Sequence, residues 1–210
     1  MSGYGSKKQY IHVAIDNFTR YLWTLSSKTQ TAKDFINLVK QISQTNKPKL
    51  IIADRYTGIN STEFKNYLEK QSIKIQFITV NCPQSNGMCE RMNQTLVTRL
   101  RCKINEKSKN VCWPKLLIDV TEEYNNSPHS VTTFSPKYLM FGIEPFAPIT
   151  DKYYPEMKEA RRIALEKSSA NHALNKKYYD EKHEDYEFKI GELVYVENKN
   201  EISRKKLEPI

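Results

Sequence analysis

An α/β fold with a parallel crossover is what the order of apolar segments predicts for these 210 residues. Three observations carry the prediction. The runs Tyr10-Ile11-His12-Val13-Ala14-Ile15 and Tyr21-Leu22-Trp23-Thr24-Leu25 flank the turn residues Asn17-Phe18-Thr19-Arg20 and read as a hairpin. Phe35, Leu38, Val39 and Ile42 then recur at spacings of three and four, which marks a helix with one buried face. Leu50-Ile51-Ile52-Ala53 follows, with the length and β-branched content of a buried strand. Strand, helix and strand in this order imply the crossover.

Each element has a local cause. Asp16 closes the first strand, Thr29 or Thr31 supplies the oxygen that caps the first helix, and Pro48 closes that unit. Asn60 and Glu63 stand at capping-box spacing for a helix over residues 61–70, with Phe64 and Leu68 turned inward. A further strand candidate, Ile73 to Val80, leads to the loop Asn81-Cys82-Pro83-Gln84-Ser85-Asn86-Gly87 and then to a helical run from Met88 to Ile104. Trp113-Pro114 opens a helix striped by Leu116, Leu117, Val120 and Tyr124, which ends before Pro128. Ser135-Pro136 opens a short one with Tyr138, Leu139 and Phe141, stopped by Gly142. From Pro145 to Glu187 the composition shifts to Lys, Glu, Asp and Tyr, and Met157 to Lys182 reads as a long solvated helix that connects. Phe188 to Val196 alternates like a strand around Gly191.

Composition narrows the classes of function. The 39% hydrophobic content is adequate for one good core with a small appendage. A formal charge of +9 favours a polyanionic partner, nucleic acid first. No apolar run approaches the length of a membrane span, and Met1 to Lys8 is too polar to open a signal peptide. Cys82, Cys89, Cys102 and Cys112 form no C-x2-C pair and lie far from His12, His129, His172 and His183, so neither a structural zinc nor a disulfide framework is expected. Cys89 reads as a small packing residue and His129 as a turn or packing residue.

The chemistry is expected at two carboxylates. Asp54 follows a strand, Glu90 lies on the helix after the next strand, and 35 residues intervene. Carboxylates so placed can share a hard divalent cation, because Mg²⁺ takes oxygen ligands and few protein ones. With 24 acidic residues in the chain the pair says little alone, and the residues around it say more. Asp54-Arg55, Glu63-Phe64 and Pro83-Gln84-Ser85-Asn86-Gly87-Met88-Cys89-Glu90-Arg91-Met92-Asn93-Gln94-Thr95-Leu96 resemble the integrase catalytic core of retroviruses and long-terminal-repeat retrotransposons, most of all the gypsy type. Tyr124-Asn125-Asn126-Ser127-Pro128-His129, Phe134-Ser135-Pro136 and Phe141-Gly142 extend the likeness, which runs from about Tyr10 to Leu207.

The resemblance implies a ribonuclease-H-like core, with a central mixed sheet and helices on both faces. It implies three segments: a catalytic core over 1–145, a charged helical connector over 146–187, and an incomplete SH3-like barrel over 188–210. Asp54 and Glu90 match the second and third catalytic metal ligands, and Asn86, Asn93, Gln94 and Arg101 are the implied DNA-facing residues. Mg²⁺ or Mn²⁺, two ions in an intact member, is the implied cofactor. DNA (element ends and target) and a second copy of the chain are the implied partners, with no membrane, and the implied location is nuclear, or cytoplasmic before integration.

Three departures qualify this. Tyr56 stands where the family usually has Gly after the second Asp, with Gly58 two places on, and Gln94 stands where a basic residue is frequent. The family's first catalytic Asp lies on a strand upstream of the one containing Val13-Ala14-Ile15-Asp16, whereas residues 1–9 hold no acid. The expectation is a core truncated at its N-terminus, with Asp16 as a poor substitute ligand and no strand transfer by this chain alone. Two functions stay open: an integrase complete only in a longer polypeptide, and a non-catalytic remnant that binds nucleic acid or protein.

Overall fold

The structure is a computed structural model that describes residues 7–78, 87–106, 112–145, 154–181 and 189–193. The chain divides into two units, Met1–Ala170 and Asn171–Ile210. In the first unit, β1 (Tyr10–Ile15) pairs antiparallel with β2 (Leu22–Ser27), Tyr10 opposite Ser27 and Ile15 opposite Leu22. Asp16 builds the turn between them. Its Oδ2 accepts hydrogen bonds from the Thr19 amide (2.7 Å), the Thr19 hydroxyl (2.8 Å) and the Phe18 amide (3.2 Å). Arg20 completes the turn in the left-handed region, at φ 66°.

Period-two alternation sends the β1–β2 side chains to two cores. Ile11, Val13, Ile15 and Leu22 pack against α3 (Gly87–Glu106) and α4 (Trp113–Asn126), with Met92, Leu96, Leu100, Trp113, Leu116, Leu117 and Val120 completing that core. Ala14, Trp23 and Leu25 face the other way, onto Leu38 and Ile42 of α1 (Ala32–Thr45). Thr31 caps α1, and the Asp34 carboxylate takes the Thr31 amide and hydroxyl (3.0 Å each) and the Thr29 hydroxyl (2.6 Å). Both of the candidate cap residues are thus engaged.

The crossover is present. β3 (Leu50–Ala53) and β4 (Lys74–Phe77) pair parallel across α2 (Thr62–Lys70), Leu50 opposite Lys74 and Ala53 opposite Phe77. Ala32, Val39, Phe64, Leu68 and Ile73 bury one face of this pair, with Ile51 and Ile75 against them. Three expectations change here. Among the described residues the strands form two two-stranded sheets, one antiparallel and one parallel, in place of a single central sheet. β3 is only half buried, with Leu50 45% and Ile52 52% exposed, because the described helices cover one of its faces. The cap of α2 is Ser61 and not Asn60: Ser61 Oγ accepts from the Phe64 amide, while the Asn60 amide is spent in a turn onto the Tyr56 carbonyl. Residues 79–86, which hold the end of the second strand candidate and most of the loop after it, lie outside the described residues.

α5 (Pro136–Phe141) is capped by Ser135 and ended by Gly142, whose φ of 74° is the left-handed C-terminal conformation glycine adopts freely. α6 (Met157–Asp180) departs from the solvated reading in its first turns. Ala160 and Ala164 are fully buried against Tyr138 and Leu139, and Arg161 donates to the Leu139 carbonyl (2.9 Å). In the second unit the described residues are exposed apart from half-buried Asn171, and Lys189–Glu192 form a turn around Gly191 at φ 93°. The rest of the expected strand, Phe188 and residues 194–196, lies outside the described residues.

One polar contact ties the last core helix to the first sheet. Asn125, 1% exposed, accepts the Leu22 amide on Oδ1 and donates Nδ2 to the Leu22 carbonyl, both at 2.9 Å. Asn125→Ala strands a buried N–H and a buried C=O and is expected to cost about 2–4 kcal/mol in urea unfolding, with Asn125→Gln recovering little because its extra methylene overfills the site.

A buried histidine makes stability depend on pH. His12 is 3% exposed, and its Nε2 lies 2.7 Å from Ser27 Oγ and 3.2 Å from the Thr29 carbonyl. Burial pushes its pKa below the usual value, against smaller opposing effects from the Thr29 carbonyl and the Asp34 charge. His129 is shifted the same way by burial and by Arg20. At neutral pH both states are uncharged and nothing is lost. As pH falls through about 6.5 the unfolded chain binds protons that the folded imidazoles refuse, so stability declines until the folded pKa values are passed. The urea midpoint is expected to be lower at pH 5.5 than at pH 7.5, and the difference to shrink in His12→Gln.

Candidate active site

Asp54 leaves the end of β3 into a loop held from both sides. The Ile59 and Asn60 amides return to the Tyr56 carbonyl (3.0 and 2.8 Å), and Ser61 Oγ donates to the Gly58 carbonyl (2.8 Å). Tyr56 reaches across to the segment before α1, its hydroxyl donating to Gln30 Oε1 (2.9 Å) and its ring 5.8 Å from that of Phe35. Gly58 is required by close approach: a Cβ there would stand 2.7 Å from the Gln30 carbonyl oxygen and 2.8 Å from Phe35. The displaced glycine is thus the residue that lets this loop dock.

Glu90 lies in the first turn of α3, where the helix dipole favours a carboxylate. The helix is seated by Met92, Leu96 and Leu100, all buried, which fixes what its other side presents. At 3.6 residues per turn, Glu90, Gln94 and Arg101 fall opposite that stripe, and all three are exposed, as is Asn93 at its flank. Asn86 lies outside the described residues.

Cys89 reports where the two carboxylates are. Its thiol is half-buried and its pKa is pushed up, first by burial and then by the negative charges of Asp54 and Glu90. Both exposed carboxylates therefore act on one thiol, one arriving from the β3 end and the other from the α3 start. They supply the hard oxygen donors that Mg²⁺ or Mn²⁺ prefers. Among the described residues no group of three or more His, Cys, Asp and Glu could hold a metal, so the pair fits such an ion in chemistry and is incomplete in number.

Asp16 is committed elsewhere, since one of its oxygens takes three hydrogen bonds from its own turn. His129 is a turn residue: Nδ1 accepts from the Val131 amide (3.2 Å), and its backbone pairs with Thr133 and Phe134. Arg20 was invisible to sequence reasoning as anything but a turn residue. In the structure its Nη1 lies 2.7 Å from Met88 Sδ, next to the start of the Glu90 helix. Gly58→Ala is expected to cost about 1–3 kcal/mol of stability and, by displacing the loop behind Asp54, to weaken Mn²⁺ binding in calorimetry beyond what Gly142→Ala does.

No family model matches the chain. It is 29% identical to the Pro-Pol polyprotein of feline foamy virus over 161 residues, covering 74% of this chain and 14% of the polyprotein. It is 28% identical to the transposon Tf2-3 polyprotein of Schizosaccharomyces pombe over 208 residues, covering 93% of this chain and 15% of that one. The chain thus spans about a seventh of the length of these curated relatives. Among solved structures it resembles the integrase catalytic core domain of HTLV-2 in complex with magnesium, in its trimeric form. That match has a TM-score of 0.54 and 19% identity, over 62% of this chain and 83% of the other. The fold is that of the retroviral integrase catalytic core, on a sequence similar to retroviral and retrotransposon Pol polyproteins. None of the described helices is long and apolar enough to cross a membrane.

Proposed function

We propose that this chain is the integrase core of a retrotransposon Pol polyprotein, a polynucleotidyl transferase that acts on the element's DNA ends and on target DNA and works as a homo-oligomer. What supports the reading is the integrase-core fold, with Asp54 directly after β3 and Glu90 in the first turn of α3. Asp54 and Glu90 would hold Mg²⁺ or Mn²⁺, which when bound as an ion pair supplies activation of the attacking oxygen and stabilisation of the leaving 3′ oxygen. The rest falls to the chain's own residues. Gln94 and Arg101 continue the Glu90 face of α3 and track phosphates of the strand being joined, with Asn93 beside them. The docked loop around Gly58 keeps Asp54 at the strand end.

The third carboxylate comes, on this reading, from a strand of the longer polypeptide that pairs at the free edges of β1 and β3. Asp16 does not replace it, because three hydrogen bonds to its Oδ2 hold it in its own turn. This chain alone therefore does not transfer strands. The test is strand transfer with pre-trimmed DNA ends and Mg²⁺ or Mn²⁺, comparing this chain with one extended upstream. The extended form is expected to be active, and to fall to the metal-free background in Asp54→Asn and in Glu90→Gln. Activity in the short chain that vanishes in Asp16→Asn overturns the assignment of ligands. If both forms are inactive yet bind duplex DNA with an affinity that drops about tenfold or more between about 50 and 200 mM salt, the chain is a nucleic-acid-binding remnant.

A further inference from the structure

The turn Asn17–Arg20 and the phrase Tyr124–His129 take no part in the chemistry above, yet the fold brings them together. Asn125 clasps Leu22, so the end of α4 lies over the start of β2 and the turn before it. Arg20 is held there in the left-handed conformation, its amide bonded to the Asp16 carbonyl (3.0 Å). Its guanidinium is half-buried, and its Nε is buried without a hydrogen-bond partner. The hydroxyl of Tyr124, a residue only 7% exposed, is likewise buried without a partner. His129 accepts the Val131 amide on Nδ1, which leaves the proton of the neutral ring on Nε2.

The charges around these groups are positive apart from that of Asp16. Arg20 acts on Tyr124 and on His129, Arg91 acts on Arg20, and the Arg99 guanidinium carbon sits 5.8 Å over the Tyr124 ring. The one carboxylate acting on Arg20 is Asp16, whose Oδ2 already takes three hydrogen bonds. Burial lowers the Arg20 pKa and holds Tyr124 protonated, up to about 12, so every group here is a donor at neutral pH. Arg20 Nη1 reaches the Met88 sulfur, a weak acceptor, while Arg20 Nε and the Tyr124 hydroxyl have none; buried donors left so cost free energy, and an oxyanion that takes several of them reverses that cost.

We propose that Arg20, Tyr124 and His129, with Arg91 at the exposed rim, form a phosphate-binding site beside the first turn of α3, separate from the Asp54–Glu90 pair. The shared chemistry is a phosphate oxyanion, from a DNA phosphodiester or from free phosphate. The DNA source rests on the integrase reading, and the site itself does not. Guanidinium forks and a phenol suit the tetrahedral oxygens of phosphate, as Arg commonly does.

The experiment uses the whole chain in two arms. In the first, duplex DNA affinity is measured by anisotropy across salt for wild type, Arg20→Gln, Tyr124→Phe and His129→Gln. In the second, inorganic phosphate is titrated while the melting temperature is followed. Arg20→Gln is expected to weaken duplex binding about tenfold and to reduce the slope of log affinity against log salt by about 0.9, the release of one phosphate contact. A merely structural arginine would not change that slope. Tyr124→Phe, which removes one hydroxyl and keeps the packing, is expected to weaken binding a few-fold with the slope unchanged. It carries the test, with His129→Gln, if Arg20→Gln does not fold. Inorganic phosphate raising the wild-type melting temperature but not that of the variants, with no change in the DNA slope, assigns the site to free phosphate. It leaves the site standing even if strand transfer fails. Unchanged DNA affinity and slope in every folded variant, together with a phosphate effect on the melting temperature that is absent from wild type or equal in wild type and variants, overturn the site.

Discussion

The hydrogen bonds between the Asn125 side chain and the Leu22 backbone are the constraint on which the rest of the first unit depends. A carboxamide presents one donor and one acceptor at the spacing of a peptide group, so here a helix residue completes the backbone pairing of a strand. Leu22 lies at the start of β2, and Asn125 lies at the end of α4, one residue beyond the last of its apolar stripe. Docking one on the other sets the depth at which Trp113, Leu116, Leu117 and Val120 enter the core. That core in turn seats Met92, Leu96 and Leu100, and thereby decides which side of α3 carries Glu90 outward. The remote amide and the carboxylate are coupled through packing.

The second constraint is α1. It gives Leu38 and Ile42 to the core against β1–β2 and Ala32 and Val39 to the core against β3–β4. Residues 38 and 39, and 32 and 42, point to different cores because a helix turns by about 100° per residue. One helix therefore holds together two sheets that share no hydrogen-bonded strand among the described residues. The candidate site depends on that bridge, since Asp54 belongs to the β3 side and Glu90 to the α3 side. A smaller clasp supports it, where Tyr56 and Gly58 close on Gln30 and Phe35.

Much of this was legible in the order of residues. β1 and β3 were read at their observed bounds, and the helices within a residue or two at most of their ends, because alternation and three-to-four spacing are local properties of side chains meeting one interface. The phrases around Asp54 and Glu90 are also what singled them out as the pair on which the proposed chemistry rests. The cap of α2 was misassigned by one residue, since Asn60 and Ser61 are both good caps and the choice falls to a turn onto Tyr56 that the sequence does not announce. The buried alanines of α6 were missed because Lys and Glu dominate the segment, and two small residues leave almost no periodic signal.

By itself the sequence determined the kinds of elements, their order and the α/β class with its parallel crossover. Those follow from local preferences and from hydrophobic patterns, which are written in consecutive residues. Only the tertiary structure decided that the described strands form two sheets, that Asp16 Oδ2 is held within its turn, and that Arg20 and Tyr124 each bury a polar atom without a hydrogen-bond partner. Each of these is a relation between residues far apart in the chain or between competing partners for one atom. Which partner wins depends on where packing places the backbones, and a linear pattern carries no such distance.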